Sequence, residues 1–218
     1  FTLSHPYTDN DTYTVEVCVS DDDEGTHCDT VQITVTNVAP VVDAGADAII
    51  KEGDTFSSSG SFEDPGADAW TATVNYGDGS GVQGLALTGK SFDLSHPYAN
   101  DGTYDVEVCV SDDDEDSGCN TAVVTVTNVA PIVNAGPDAT IAEGSTFIGA
   151  GSFTDAGADT WTATVDYGDG DGEKELALNA DKTFALAHLY ADNPAVGSSY
   201  TVTVCVTDDG VSSVCDTA

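Results

Sequence analysis

The sequence predicts an all-β chain made of small sandwich domains in tandem, and three observations carry that prediction. A block running from Phe92 to Cys119 recurs from Phe1 to Cys28 and again from Phe184 to Cys215. His5 and His96, Cys18 and Cys109, Asn37 and Asn128, and Trp70 and Trp161 are each 91 positions apart, a fixed period of small-domain size. Between clusters of Gly, Asp, Asn and Pro lie short runs of Val, Thr, Phe and Tyr that alternate apolar with polar residues, and no stretch has a useful length of helical periodicity.

Residues 1–36 read as the C-terminal part of one repeat, with strands over 12–20 and 28–36 joined by an acidic turn. Tyr13, Val15, Val17 and Val19 share one side of the first strand, and Val31, Ile33 and Val35 share one side of the second. Cys18 and Cys28 then both lie on the outer side, so a bridge between them ties adjacent strands of one sheet. Cys109 with Cys119 and Cys205 with Cys215 repeat the spacing, and closing so short a loop contributes about 3 kcal/mol. Zinc is the competing reading, but the pairs lack the short Cys-x-x-Cys spacing and no histidine cluster accompanies them.

The linker Asn37-Val38-Ala39-Pro40 and its copy Asn128-Val129-Ala130-Pro131 mark the boundaries, because proline cannot donate to a ladder and holds its predecessor extended. Residues 37–127 form a complete repeat, with strands expected over 41–44, 55–62, 69–76, 84–88, 91–94, 103–111 and 121–127. Trp70 is expected to anchor the core, with Ala72, Val74 and Tyr76 following on alternate positions. Tyr104 sits where a tyrosine corner is expected. Residues 128–218 repeat this layout but are expected to lack the last strand. The register slips where 192–199 lengthen the turn before Tyr200, as surface turns allow.

The chain has 218 residues, four Lys and no Arg against 39 Asp plus Glu, and a formal charge of −35. Nucleic acid and anionic membrane surfaces both require basic patches, so neither is expected as a partner, and no apolar run is long enough for membrane insertion. The chain has no methionine and starts in what reads as mid-domain, so an interior or processed segment is expected. Six cysteines in local pairs imply an oxidising compartment, hence an extracellular, secreted or cell-surface protein. Three accounts of the acidity stand side by side: a solvated surface, divalent cation binding and adaptation to high salt.

No catalytic residues are predicted. Gly77-Asp78-Gly79 and Gly168-Asp169-Gly170 lack the lysine and helix of a phosphate loop and read as hairpin turns. His5, His96 and His188 recur before a tyrosine, as a structural hydrogen bond at a strand end requires. Carboxylate pairs recur in short turns of small modules, which offer no deep cleft of the kind a glycosidase needs.

Tyr76-Gly77-Asp78-Gly79, His96-Pro97-Tyr98, Gly102-Thr103-Tyr104, Val110-Ser111-Asp112-Asp113 and the opening Asn134-Ala135-Gly136-Pro137-Asp138 together resemble the signatures of PKD (polycystic kidney disease) domains along the whole chain. The resemblance implies seven-stranded immunoglobulin-like sandwiches of extracellular, cell-surface or secreted proteins. Two features depart from it: Tyr76 and Tyr167 stand where the family commonly has tryptophan, and paired cysteines occur in only some members. Some PKD-like domains bind calcium where the acidic turn between the last two strands meets an earlier turn. The resemblance therefore implies Asp64, Asp68 and Asp112, capped by Asn37, as calcium ligands in the complete repeat. Asp155, Asp159, Asp208 and Asn128 are the matching set in the last repeat. A merely solvated acidic turn is the alternative.

The function expected is structural: an extracellular tandem-repeat segment of a rod, fibre or adhesin stalk, stiffened by calcium at its junctions. Its partners are then further copies of the repeat or neighbouring filament subunits. The alternative is a non-catalytic accessory module that contacts polysaccharide or cell-surface protein beside a secreted enzyme.

Overall fold

In the computed structural model, which describes residues 1–196, 198–210 and 212–218, all regular elements are β-strands. Gly197, inside the lengthened turn before Tyr200, and Val211, in the last acidic turn, lie outside the described residues. The first hairpin is β1 (Asp11–Ser20) and β2 (Thr26–Val35). Then come β3 (Val41–Asp43), β4 (Ala48–Lys51), β5 (Thr55–Glu63), β6 (Thr71–Asn75), β7 (Val82–Leu85), β8 (Leu87–Thr88), β9 (Ser91–Pro97), β10 (Gly102–Ser111) and β11 (Ser117–Thr127). The last repeat has β12 (Ile132–Asn134), β13 (Ser145–Thr154), β14 (Thr162–Asp166), β15 (Lys174–Glu175), β16 (Thr183–Tyr190), β17 (Thr203–Thr207) and β18 (Ser213–Thr217).

Each full repeat is a two-sheet sandwich. The middle one has sheets ordered β3-β5-β9-β8 and β4-β11-β10-β6-β7, and the last has β12-β13-β16 and β15-β14-β17-β18. Contacts gather the chain into two compact units. The first comprises Phe1–Ala48, Phe56–His96 and Tyr104–Val124, and the second comprises Ile49–Thr55, Pro97–Thr103 and Thr125–Ala218. Two turns that belong by sequence to the middle repeat therefore cluster with the last one.

The period-2 pattern decides what is buried. In the first unit Phe62, Phe92, Leu94, Val108 and Val110 are buried, and in the second Phe153, Phe184, Leu186, Val204 and Val206 pack into one cluster. Each such side chain stabilises the fold by roughly 1.5–3 kcal/mol. The cysteines occupy the opposite parity. Cys18 faces Cys28 across β1 and β2, Cys205 faces Cys215 across β17 and β18, and Cys109 is bonded to Cys119. Of the side chains that share the other face of β1, Tyr13, Val15 and Val17 are half-buried, whereas Val19, at the hairpin end, is exposed.

Three details depart from the expectations. Gly45, at φ 90°, breaks the opening strand of the middle repeat into β3 and β4, so that 48–51 forms an unforeseen strand in the opposite sheet. A Cβ there would lie 2.5 Å from the Ser59 carbonyl oxygen, which only glycine avoids. Trp70 is half-buried rather than a core anchor: Phe62 fills the core beneath it, the two rings meeting edge-on with centroids 5.4 Å apart. The last repeat does carry part of its final strand, as β18, paired with β17 from Thr203 opposite Thr217 to Thr207 opposite Ser213.

The recurring motifs have structural roles. Tyr13 Oη donates to the carbonyl of Asp9 at 3.0 Å, the tyrosine corner expected of the equivalent Tyr104. Tyr200 reaches further back, to the carbonyl of Asp192 at 3.3 Å, because the inserted turn intervenes. His96 stacks on Tyr76 and places Nε2 2.7 Å from Asp78 Oδ2, which ties the Gly-Asp-Gly hairpin to β9; His188, Tyr167 and Asp169 repeat this arrangement.

Candidate functional site

The acidic turns are built around their first aspartate. Asp112 Oδ1 accepts the amides of Asp114 and Asp116 at 3.1 and 2.9 Å, and the turn closes by Asp112 N–H donating to the Asp116 carbonyl. Asp21 and Asp208 make the same closure. The second oxygen of Asp112 accepts from Asn37 Nδ2 at 2.8 Å, and Asp208 Oδ2 accepts from Asn128 Nδ2 at 3.0 Å. Each boundary asparagine is thus fastened to the acidic turn of the repeat it opens, as a hydrogen-bond donor.

Asp64 and Asp155 are held by tryptophan. Trp70 Nε1 donates to Asp64 Oδ2 at 3.0 Å and Trp161 Nε1 to Asp155 Oδ2 at 2.7 Å. Lys90 and Lys182 lie over the same indole rings at 4.5 and 4.2 Å, and each donates to the carbonyl of that aspartate. Half of the four lysines are used in this way. Burial opposes the charged form of Asp64, but the Gly66 amide and the indole outweigh it and hold the carboxyl below its ordinary value. Burial and the adjoining Asp64 carboxylate push Asp68 upward.

Of the four ligands expected in the complete repeat, Asp112 pairs with Asn37 and Asp64 pairs with Trp70. Asp68 instead turns a carboxylate toward Asp9 and Asp114, where oxygens of all three lie within 4.8 Å of one another. Asp9 and Asp114 are exposed and Asp68 is partly buried.

In the second unit the arrangement is tighter. Oxygens of Glu52, Asp155 and Asp159 lie within 4.8 Å of one another. Glu52 is 1% exposed and Asp159 6%. The turn that carries Glu52 is fixed at three points: the Glu52 amide donates to the Thr127 carbonyl at 3.1 Å, Glu52 Oε1 accepts the Val129 amide at 2.6 Å, and Gly53 N–H donates to the Tyr98 carbonyl at 2.8 Å. Glu52 Oε2 and Asp159 Oδ2 are buried without a hydrogen-bond partner, as is Asn128 Oδ1 beside Val129. Burial, then the charges of Glu52 and Asp155, raise Asp159 to about 6. Asp155 and Asp159 were expected ligands; Glu52 was not. The only trace of it in the sequence is a Glu-Gly pair that recurs as Glu143-Gly144.

Disulfide-tied hairpins, tyrosine corners and paired sheets define the chain as a tandem array of immunoglobulin-like β-sandwich modules. The PKD domain family profile matches residues 37–127 and 128–218, and the chain belongs to that family. Comparison with curated proteins finds no match. Among solved structures, the PKD domain of a peptidase from a Thermoplasmatales archaeon is similar at 23% identity and TM-score 0.38, over 42% of this chain and 98% of that one. An I-band fragment of titin is similar at 13% identity and TM-score 0.48, over 95% and 73%. Fibronectin(III)-like modules of Clostridium thermocellum CbhA are similar at 13% identity and TM-score 0.31, over 82% and 90%.

Proposed function

We propose that the chain is a structural, non-catalytic segment of an extracellular rod, fibre or adhesin stalk, in which PKD modules follow one another in a fixed way and calcium stiffens the joints. One repeated bond carries this reading. In the first unit the Ala67 amide donates to the Thr8 carbonyl at 3.0 Å, and in the second the Ala158 amide donates to the Ala99 carbonyl at 3.0 Å. Donor and acceptor both recur at the period of the repeat, so the seat of one module on the loop of its predecessor is itself part of the repeat. A flexible string of binding modules needs no such bond. Three disulfides and an acidic, solvated surface suit an oxidising exterior.

Small-angle scattering and single-particle imaging of the whole chain test the proposal. A narrow distribution of module angles, narrowing further in calcium, is the expected result. Modules that sample all angles, together with retention on insoluble polysaccharide, would replace it with the accessory-module reading.

A further inference from the structure

We propose that Glu52, Asp155 and Asp159 form a calcium site that fastens the turn at 49–55 to the last repeat. The proposal rests on the structural reading for its consequence, while the binding itself stands on geometry.

Three carboxylates converge, with oxygens no more than 4.8 Å apart. Two oxygens on one calcium ion, each about 2.3–2.6 Å from it, span at most about 5 Å, so one ion can touch all three. Convergence of acids alone is common on so acidic a surface. What sets this cluster apart is that two of its members are more than nine-tenths buried, and each presents an oxygen with no donor, Glu52 Oε2 and Asp159 Oδ2. Leaving a buried carboxylate oxygen without a partner is costly, and like charges beside it add to that cost. A hard divalent cation offsets both.

The remaining contacts leave those oxygens available. Glu52 spends Oε1 on the Val129 amide, and Asp155 spends Oδ2 on Trp161 and Oδ1 on the Ala156 amide at 2.8 Å. An amide donor uses one lone pair of an oxygen, so Asp155 keeps capacity for a metal. All-oxygen donors of high negative charge select calcium over softer metals.

The site differs from the set implied by family resemblance, which places all ligands in one repeat and its entry linker. Here the glutamate comes from a turn of the preceding repeat. The chain also contains an internal control. Glu143 lies in a turn of the same construction, with Gly144 N–H donating to the Tyr190 carbonyl at 2.8 Å as Gly53 donates to Tyr98, yet Glu143 is exposed.

The test uses the whole chain, stripped with chelator and titrated calorimetrically with calcium chloride at constant ionic strength, beside Glu52→Gln, Asp159→Asn and Glu143→Gln. Glu52→Gln keeps the acceptor for the Val129 amide, so the turn is retained while one charge is removed. Wild type and Glu143→Gln are expected to share a saturable site that Glu52→Gln and Asp159→Asn weaken at least about tenfold, because ligand charge sets calcium affinity. In chelator, Glu52→Gln is expected to raise the melting temperature and to lose the calcium-induced rise. Absence of saturable binding in wild type, or equal affinity in Glu52→Gln, overturns the site. Either result removes calcium stiffening at this joint but leaves the rod-segment reading itself standing, since that part is judged by the module angles measured without added calcium.

Discussion

His96 Nε2 lies 2.7 Å from Asp78 Oδ2, with the imidazole stacked on Tyr76 at 4.2 Å and a 10° interplanar angle. The Gly-Asp-Gly turn and the His-Pro-Tyr segment, separate motifs in the sequence, are therefore two ends of one contact.

That contact gives the fold an acid-sensitive element. The Ser80 hydroxyl and amide, with His96, hold Asp78 down at about 2, below the ordinary 3.8. A carboxyl with a depressed folded value stabilises fully above the unfolded value and loses that contribution as pH falls through the folded one. Stability from Asp78 is thus expected to drain away between about pH 4 and pH 2. Asp78→Asn should cost roughly 1 kcal/mol at pH 7 for a partly exposed pair and should flatten the acid limb. Urea midpoints measured from pH 2 to 7 check both; unchanged slopes in the variant would contradict them.

Each disulfide joins strands that are already paired, so its removal should loosen one hairpin without altering the core. Replacing Cys109 and Cys119 by alanine is expected to cost about 2–3 kcal/mol, mostly through the unfolded chain. Hydrogen exchange should quicken at 111–118 while the amides of Val106 and Val108 stay protected. Non-reducing peptide maps should show Cys18–Cys28, Cys109–Cys119 and Cys205–Cys215 only.

Gly45→Ala tests the sheet switch. The substitution places a Cβ 2.5 Å from the Ser59 carbonyl oxygen at a φ of 90°, and a cost of about 1–3 kcal/mol is expected. Chemical denaturation measures it. Gly79→Ala is the comparison, because that position has a similar φ of 87° but nothing within 4 Å of the added carbon. Equal losses in the two variants would show that the steric contact contributes nothing.

Trp161→Phe keeps most of the ring but removes the donor to Asp155 Oδ2. Loss of a hydrogen bond to a charged group is expected to cost about 1.5–3 kcal/mol. The equivalent bond from Trp70 to Asp64 is left intact, so the effect should be confined to the last repeat, as protease mapping of partly unfolded chain would reveal. Trp70→Phe should transfer the loss to the middle repeat.

The sequence by itself determined the repeat, the sandwich, the faces of the strands and the disulfide pairs, because each follows from local spacing. A period of two sends Val106, Val108 and Val110 inward and Cys109 outward whatever the neighbouring strand contributes. The linkers at Asn37 and Asn128 and the hairpin turns at Gly77 and Gly168 were legible for the same reason, since proline and glycine act on the backbone where they stand. The fate of each carboxylate was decided only by the tertiary structure. Asp64 and Asp68 stand four positions apart in the sequence and their carboxyls adjoin, yet Asp64 also meets an indole while Asp68 also meets the side chains of Asp9 and Asp114. Glu52 reads as one more acid in a turn, until Val129, 77 residues later, donates to it and Asp155 and Asp159 close around it. Whether a carboxylate is solvated, capped or poised for a cation depends on which donors and charges reach it and how much water they exclude, and those come from segments that only folding brings together.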